Sequence, residues 1–472
     1  MRTEIKFYSG IHTIGGVVMA IEYGKDRVLL EIGVAYDPAT DVYDGTVKHR
    51  KTNWLKDELL LKRVPAVDGI YRRQDLLDYP LTSCEESDKN TAVFITHMHL
   101  DHMTCMGMVG DEVKVYLSES AQKVEQALED TGVGVVNIRT TPFLPIYDKQ
   151  WVKVGDIEVL PFLLNSKSYQ DWSFYVRTPD MKIHYTGDLF LHGDYVDAVI
   201  DEMNWVKEQQ PDLLVCEATT FMDSTMLMMY DSVDEEVIGN IELPEGMLNK
   251  EMVDQIYLDE IKKQDGLCVF NYYEREMSDV ICFKQWAKET NRTLAFEPKT
   301  AYLVWKFFGE QVNVFTPDVA NFENCKEQWF LDLMTNNTEI KKQEIINNPR
   351  NYLIQNSYGH ILELFDLPNE NASYIHCGGT PIGDYDPAYA NMQRVLELAG
   401  FKHVNLFQKN YFSHAYPPQV KGYVDTINAK VLVPSHSMNP ERLKAPEGRQ
   451  QLIPDLGVTY VMDGDRMVRK ED

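Results

Sequence analysis

A chain of 472 residues, 44% hydrophobic and 25% charged, has the make-up of a globular protein with room for roughly two or three domains. Its 46 Lys and Arg against 73 Asp and Glu leave a formal net charge of −27, which argues against a broad phosphate-tracking surface, because such surfaces are built from Lys and Arg. No apolar run approaches the length of a bilayer-spanning helix, and Met1-Arg2-Thr3-Glu4-Ile5-Lys6 opens no apolar segment, so neither a membrane partner nor a signal peptide is expected. The 7 cysteines are scattered and form no C-x-x-C pair. They fit reduced thiols in a cytoplasm, and leave any metal site to histidine and carboxylate.

In chain order, residues 17–23 and 27–33 are apolar-rich runs joined by Gly24-Lys25-Asp26, which predicts an antiparallel hairpin. Between Lys48 and Arg73 eight basic residues stand against three acidic ones, a segment that reads equally as a solvated stretch or as a substrate-steering patch. Residues 91–95, Thr-Ala-Val-Phe-Ile, are β-branched and aromatic and predict a buried strand. That strand ends in Thr96-His97-Met98-His99-Leu100-Asp101-His102, which places three of the 12 histidines and a carboxylate in one turn. A short strand is predicted over 114–117 and a helix over 118–130, with Ser118 at its N-cap. A strand over 182–186 stops at Gly187-Asp188, a helix follows over 195–209, and a strand over 212–216 ends at Glu217.

Helix and strand then alternate over 250–263, 267–271, 275–289 and 293–297, which predicts a parallel α/β unit. The alternation continues with a strand over 373–376, the loop Cys377-Gly378-Gly379-Thr380-Pro381 and a helix over 387–398. A helix over 418–427 and a strand over 430–433 lead to Pro434-Ser435-His436. With no repeat and no low-complexity linker, the domains are expected to pack against one another.

Imidazole and carboxylate suit zinc and its first-row neighbours. In layered sheets functional groups gather where strands end, which makes His97 to His102, Asp188 and His436 the candidates. Gly187 adds no side chain, so Asp188 can approach closely enough to bridge two metals. A metal pair can hold a hydroxide and stabilise the entering and leaving oxygens of phosphodiester or acyl hydrolysis. His12, His49, His184, His192, His360, His376 and His403 read as packed or surface residues, Gly378-Gly379 as a tight turn, and Tyr272-Tyr273 as core.

The motifs resemble those of the metallo-β-lactamase superfamily, and the later ones resemble its β-CASP, ribonuclease J-like branch. The resemblance rests on His-x-His-x-Asp-His at 97–102, on Tyr185-Thr186-Gly187-Asp188, and on Glu217 after a strand. Ser413-His414-Ala415 before a helix and His436 at a late strand end complete it. It implies an α/β fold: a four-layer αββα sandwich from residues 1–217, completed by 372–472, with a β-CASP-like α/β domain inserted at 218–371. The active site would lie in the cleft between them. His97 and His99 would bind one metal, Asp101, His102 and His436 the other, and Asp188 would bridge. His414 would contact the scissile phosphate or protonate the leaving oxygen, beside Asp101 and Glu217 as further catalytic residues, Glu217 orienting His436 or its neighbours. The implied cofactor is Zn2+, with Mn2+ as the alternative.

The implied function is metal-dependent hydrolysis through a metal-bound hydroxide, by a nuclease acting on RNA or single-stranded DNA. The alternatives are a small-molecule ester or thioester hydrolase and a catalytically weakened paralogue that binds nucleic acid or another partner. A homodimer is expected. The sequence departs from the family pattern at several points. Ser166 stands where a histidine completes the first metal's shell, so one full site and one site short of an imidazole are expected, unless Asp171 or a water fills the gap. The usual Asp of the first motif is Glu31, read as a carboxylate behind the ligands. Phe412 and Ser413 replace the Ser-Gly pair before the histidine, which removes a close backbone approach to a phosphate.

Overall fold

Both faces of the central strands are apolar, and this fixes where the layers lie. Around strand Val18–Tyr23 the side chains of Val17, Met19 and Ile21 enter one core cluster, whereas Val18 and Ala20 enter another, as the two-residue period of a strand requires. Ala92 and Phe94 alternate in the same way with Val93 and Ile95, and Leu213 and Val215 with Leu214 and Cys216. Strands of this kind need cover on both sides, which two stacked sheets flanked by helices provide. The structure is a computed structural model that describes residues 1–37, 41–43, 46–50, 52–164, 171–221, 237–318, 325–406 and 410–471. Ser166 lies outside the described residues.

The first sheet runs in the order Arg466–Arg469, Thr459–Asp463, Glu4–Ser9, Val18–Tyr23, Asp26–Leu30, Asn90–Phe94, Lys114–Leu117, Leu144–Pro145. The second runs Gln450–Gln451, Val431–Ser435, Leu213–Glu217, Lys182–Tyr185, Trp172–Arg177, Ile157–Leu163, Val152–Val154. Between them pack Ile5, Val28 and Phe94 from one side and Val159, Phe174 and Val215 from the other. Helices Val196–Gln209 and Pro417–Ile427 cover the outer face of the second sheet through Met203, Val206, Tyr423 and Val424. Helices Trp54–Leu60 and Glu119–Asp130 cover that of the first through Leu55, Leu59, Val124 and Leu128. The expected αββα layering is therefore present.

Strands Leu213–Glu217 and Val431–Ser435 are parallel neighbours, with Glu217 beside Ser435, and the chain between them builds a third unit. Its parallel sheet runs Thr338–Ile340, Asn313–Phe315, Thr293–Phe296, Tyr352–Gln355, Cys268–Tyr272, Ser373–Cys377, Lys402–Asn405. The last two strands lie beyond residue 371, so the boundary expected there moves to after Asn405. Strand Lys402–Asn405 is half-buried and polar at its ends, and so left no apolar run to mark it. The inserted unit docks on the sandwich: helix Pro298–Phe308 packs on helix Glu119–Asp130, where the Tyr302 hydroxyl donates to Asp130 Oδ2 at 2.9 Å. No helix among the described residues is long and apolar enough to cross a membrane.

Candidate metal centre

Strand Asn90–Phe94 runs out before the chain turns through His97 and His99 into the short helix Leu100–Met103, with His99 at its N-cap. Asp188, Glu217 and His436 lie at the carboxyl ends of Lys182–Tyr185, Leu213–Glu217 and Val431–Ser435. These strands are parallel neighbours, so one sheet edge delivers all three side chains. Gly187 sits at φ 56, and a Cβ there would come within 2.8 Å of the Trp172 carbonyl. Glycine is therefore required for the turn that aims Asp188.

Asp188 spans the cluster. Its Oδ2 lies 3.5 Å from His97 Nε2, and its Oδ1 lies 3.3 Å from His102 Nε2 and 3.7 Å from His436 Nε2. His436 Nε2 is also 3.0 Å from Asp101 Oδ2 and 3.2 Å from His102 Nε2. Among the described residues, donor atoms within 4.8 Å of one another form three groups: His97, His99 and Asp188; Asp101, His102 and His436; Asp188, Glu217 and His414. His97 Nε2 and Asp188 Oδ1 are buried and lack a hydrogen-bond partner among the described residues, which buried polar atoms rarely do. A divalent cation among these imidazoles and carboxylates would supply the missing partner, so the residues present fit Zn2+ or a neighbouring metal.

A further layer holds the donors in place. The Thr96 N–H donates to both Glu31 oxygens at 3.3 Å, and Glu31 Oε1 lies 3.5 Å from His102 Nδ1, the supporting position read from the sequence. Glu217 accepts from the Leu189 N–H at 2.5 Å, from His414 Nδ1 at 3.0 Å and from the Thr219 hydroxyl. Since Thr219 donates to Glu217, its oxygen accepts from His436 Nδ1 at 2.7 Å, which leaves His436 Nε2 facing Asp101. Glu217 thus reaches His436 through Thr219 and touches His414 directly. Glu31 and His436 both adopt left-handed backbone, at φ 62 and 53, a conformation that costs a residue with a Cβ about 1–2 kcal/mol. Bonds from Glu31 N to Phe94 O and from His436 N to Gly10 O hold them there.

Burial sets the electrostatics of the cluster, and neighbouring charges oppose or reinforce it. Burial lowers His97, and His102 and His99 add to the effect. Burial also works against a charged His102, but Asp188 and Asp101 hold it well above the usual imidazole range. Asp101 and Asp188 go down despite their burial because His102 and His436 face both. For His414, burial is overcome by Glu217 and Asp188, which push it up to about 9.

The structure brings together His97, His99, Asp101, His102, Asp188, Glu217, His414 and His436, all singled out in the sequence. Sequence reasoning missed Thr219, Glu276 and Tyr273. Thr219 follows Glu217 by two residues with no motif to mark it, and Glu276 belongs to the inserted unit, far away in sequence. It read Tyr272-Tyr273 as core, which fits Tyr272, 1% exposed, whereas Tyr273 packs edge-on to His99 at 5.2 Å. His184 is buried and bonds Glu202 and Tyr423 at 2.6 and 2.8 Å, and His192 bonds Phe412 O at 2.8 Å, as packed residues. In the basic segment Arg50 pairs with Asp57, Lys56 with Asp78, Arg63 with Asp41 and Glu58, Arg72 with Asp75 and Arg73 with Glu86.

Residues 64–249 match the family model described as a beta-lactamase superfamily domain. The fold is similar to that of a protein of unknown function from Enterococcus faecalis V583, with a TM-score of 0.75 and 23% identity, covering 98% of this chain and 100% of that one. The metallo-beta-lactamase fold protein YhfI from Bacillus subtilis aligns at 13% identity and a TM-score of 0.28, over 48% of this chain and 76% of its own. BJP-1, a subclass B3 metallo-beta-lactamase of Bradyrhizobium japonicum, aligns at 10% identity and a TM-score of 0.27, over 44% and 73%. No match was found among curated protein sequences.

Proposed function

We propose that this chain, whose residues 64–249 match the model of a beta-lactamase superfamily domain, is a metal-dependent hydrolase of phosphodiesters, with RNA or single-stranded DNA as its substrate class. The observation that carries this reading is the third donor group. His414 Nδ1 lies 3.8 Å from Asp188 Oδ2 and is held by Glu217 at 3.0 Å. With Nδ1 committed to Glu217, Nε2 is the nitrogen free to neutralise a phosphoryl oxygen or to hand its proton to a leaving oxygen. A general acid so placed contributes roughly 10²–10⁴-fold.

His97 and His99 form one cation site, Asp101, His102 and His436 the other, and Asp188 lies between, with Zn2+ the expected metal and Mn2+ the alternative. Bound there, divalent cations would supply activated water and charge stabilisation for the entering and leaving oxygens. Glu217 keeps His414 oriented, and through Thr219 keeps the His436 proton on Nδ1.

A second reading, a small-molecule ester or thioester hydrolase, is favoured by a cavity of about 310 Å³ that opens onto Asp188. There Lys250 stands among Asp171, Asp194, Glu251 and Asp254, a lining that repels a polyanion. The test is to assay the Zn2+- and Mn2+-loaded protein on bis(p-nitrophenyl) phosphate, an end-labelled single-stranded RNA and p-nitrophenyl acetate. Cleavage of the phosphodiesters, reduced about 10²–10⁴-fold in His414→Ala, is expected. Turnover of the acetate alone would assign the second reading, and RNA binding with no turnover a weakened binding paralogue.

A further inference from the structure

His99 is gripped from the inserted unit. Its Nε2 donates to Glu276 Oε1 at 2.6 Å, while Glu276 Oε2 accepts from the Ser278 hydroxyl at 3.2 Å. Glu276 immediately precedes helix Met277–Thr290 and follows strand Cys268–Tyr272 of the inserted sheet. Its own N–H is tied to Tyr273 O at 2.8 Å, and the Tyr273 ring lies edge-on to His99. The carboxylate is therefore aimed by both the turn and the helix.

An imidazole has two ring nitrogens, and a carboxylate can only accept, so Glu276 fixes the His99 proton on Nε2. That leaves Nδ1 as the nitrogen available to a cation in the group with His97 and Asp188. His97 is held the other way round: its Nδ1 lies 2.9 Å from the Thr96 hydroxyl and its Nε2 faces Asp188. Thus the sandwich orients one imidazole of this group, and the inserted unit orients the other.

We infer that Glu276 is a positioning residue of the first metal site, so that this site reaches its full affinity only with the inserted unit docked, and the bound metal in turn pins that unit. The inference rests on the metal-binding part of the function proposed above and is independent of the substrate. Carboxylates that accept from a metal-bound histidine set its tautomer and basicity, and their loss costs about 10–100-fold in metal affinity. The second site, Asp101 with His102 and His436, has its own support in Glu31 and Thr219 and should not feel Glu276.

The experiment titrates Zn2+ against a chromophoric chelator into metal-stripped full-length wild type, Glu276→Gln and Glu276→Asp. Amide hydrogen exchange over residues 277–290 is followed with and without metal. The wild type should take up about two Zn2+ per chain. In Glu276→Gln the weaker-filling site should lose about 10–100-fold in affinity, with the other unchanged, and Glu276→Asp should recover part of the loss. Metal should slow exchange over 277–290 in the wild type and much less in Glu276→Gln. Equal affinity at both sites in wild type and Glu276→Gln overturns the inference while leaving the metal centre standing. No Zn2+ uptake by the wild type overturns both. Metal-free melting of the variants near the wild-type temperature separates the effect from misfolding, and a Glu276→Asp protein that folds but shows no recovery also counts against it.

Discussion

Glu125 carries a charge that the fold opposes. It lies on helix Glu119–Asp130, where the sandwich meets the inserted unit, is 2% exposed, and neither carboxylate oxygen has a hydrogen-bond partner among the described residues. Burial pushes its carboxyl from 4.5 up to about 7, with Arg275 pulling the other way. The folded state thus binds a proton that the unfolded state has released. The stability tied to this group is present in full below pH 4.5 and is lost as the pH rises through about 7. The loss amounts to about 3 kcal/mol. Glu125→Gln keeps the shape without the charge. Thermal melts should find the variant close to wild type at about pH 5 and more stable at about pH 8. A difference that stays constant between those pH values would show that Glu125 does not titrate in the fold.

At the scale of elements, the site depends on loops that only glycine lets close. Gly16 N donates to Asp101 O at 2.7 Å, and a Cβ on Gly15 would lie 2.0 Å from Asp101 Oδ2. A Cβ on Gly33 would lie 1.8 Å from the Asp101 carbonyl, far inside van der Waals contact. Gly33→Ala must therefore displace the turn that carries Asp101 and His102, at a cost of about 1–3 kcal/mol or more. It should lower the melting temperature and abolish metal binding at the proposed Asp101, His102 and His436 site, as elemental analysis reads. Gly359→Ala, where a Cβ meets nothing within 4 Å, serves as the control and should retain the metal.

These glycines also mark what the sequence could and could not disclose. The strand before His97 and the strands before Asp188, Glu217 and His436 were legible because apolar runs end abruptly in chemistry-bearing residues. Loops 13–16 and 33–35 were not, since their role is contact with a turn some seventy to ninety residues away, and no local pattern encodes it. The strands at 157–163 and 172–177 are buried on both sides and show no alternation to set them apart from a helix segment. Strand Lys402–Asn405 failed for the opposite reason, having too little apolar character to register.

For the whole molecule, the question is whether the sandwich and the inserted unit fold as one. Their cores are continuous: a single cluster of buried side chains contains Val18, Leu29, Val93 and Val115 from the first sheet and Phe270, Val304, Leu353 and Ile375 from the inserted unit. Glu276 on His99 and Tyr302 on Asp130 tie the same two bodies by hydrogen bonds. Units joined by a small polar interface unfold separately, but units that share a core lose their common apolar cover together. Phe283 tests this. It is fully buried in the inserted unit, with ring centroids 4.3 Å from Phe270 and 5.0 Å from Tyr272. Phe283→Ala should cost about 3–5 kcal/mol. If the core is one cooperative body, calorimetry should show a single transition in wild type and variant, shifted down as a whole. Loss of the donor turn at His97 to His102, followed by histidine NMR, should coincide with it. If the inserted unit melts first and leaves a second transition at the wild-type temperature, the two bodies are energetically separate, and docking rather than folding holds Glu276 against His99.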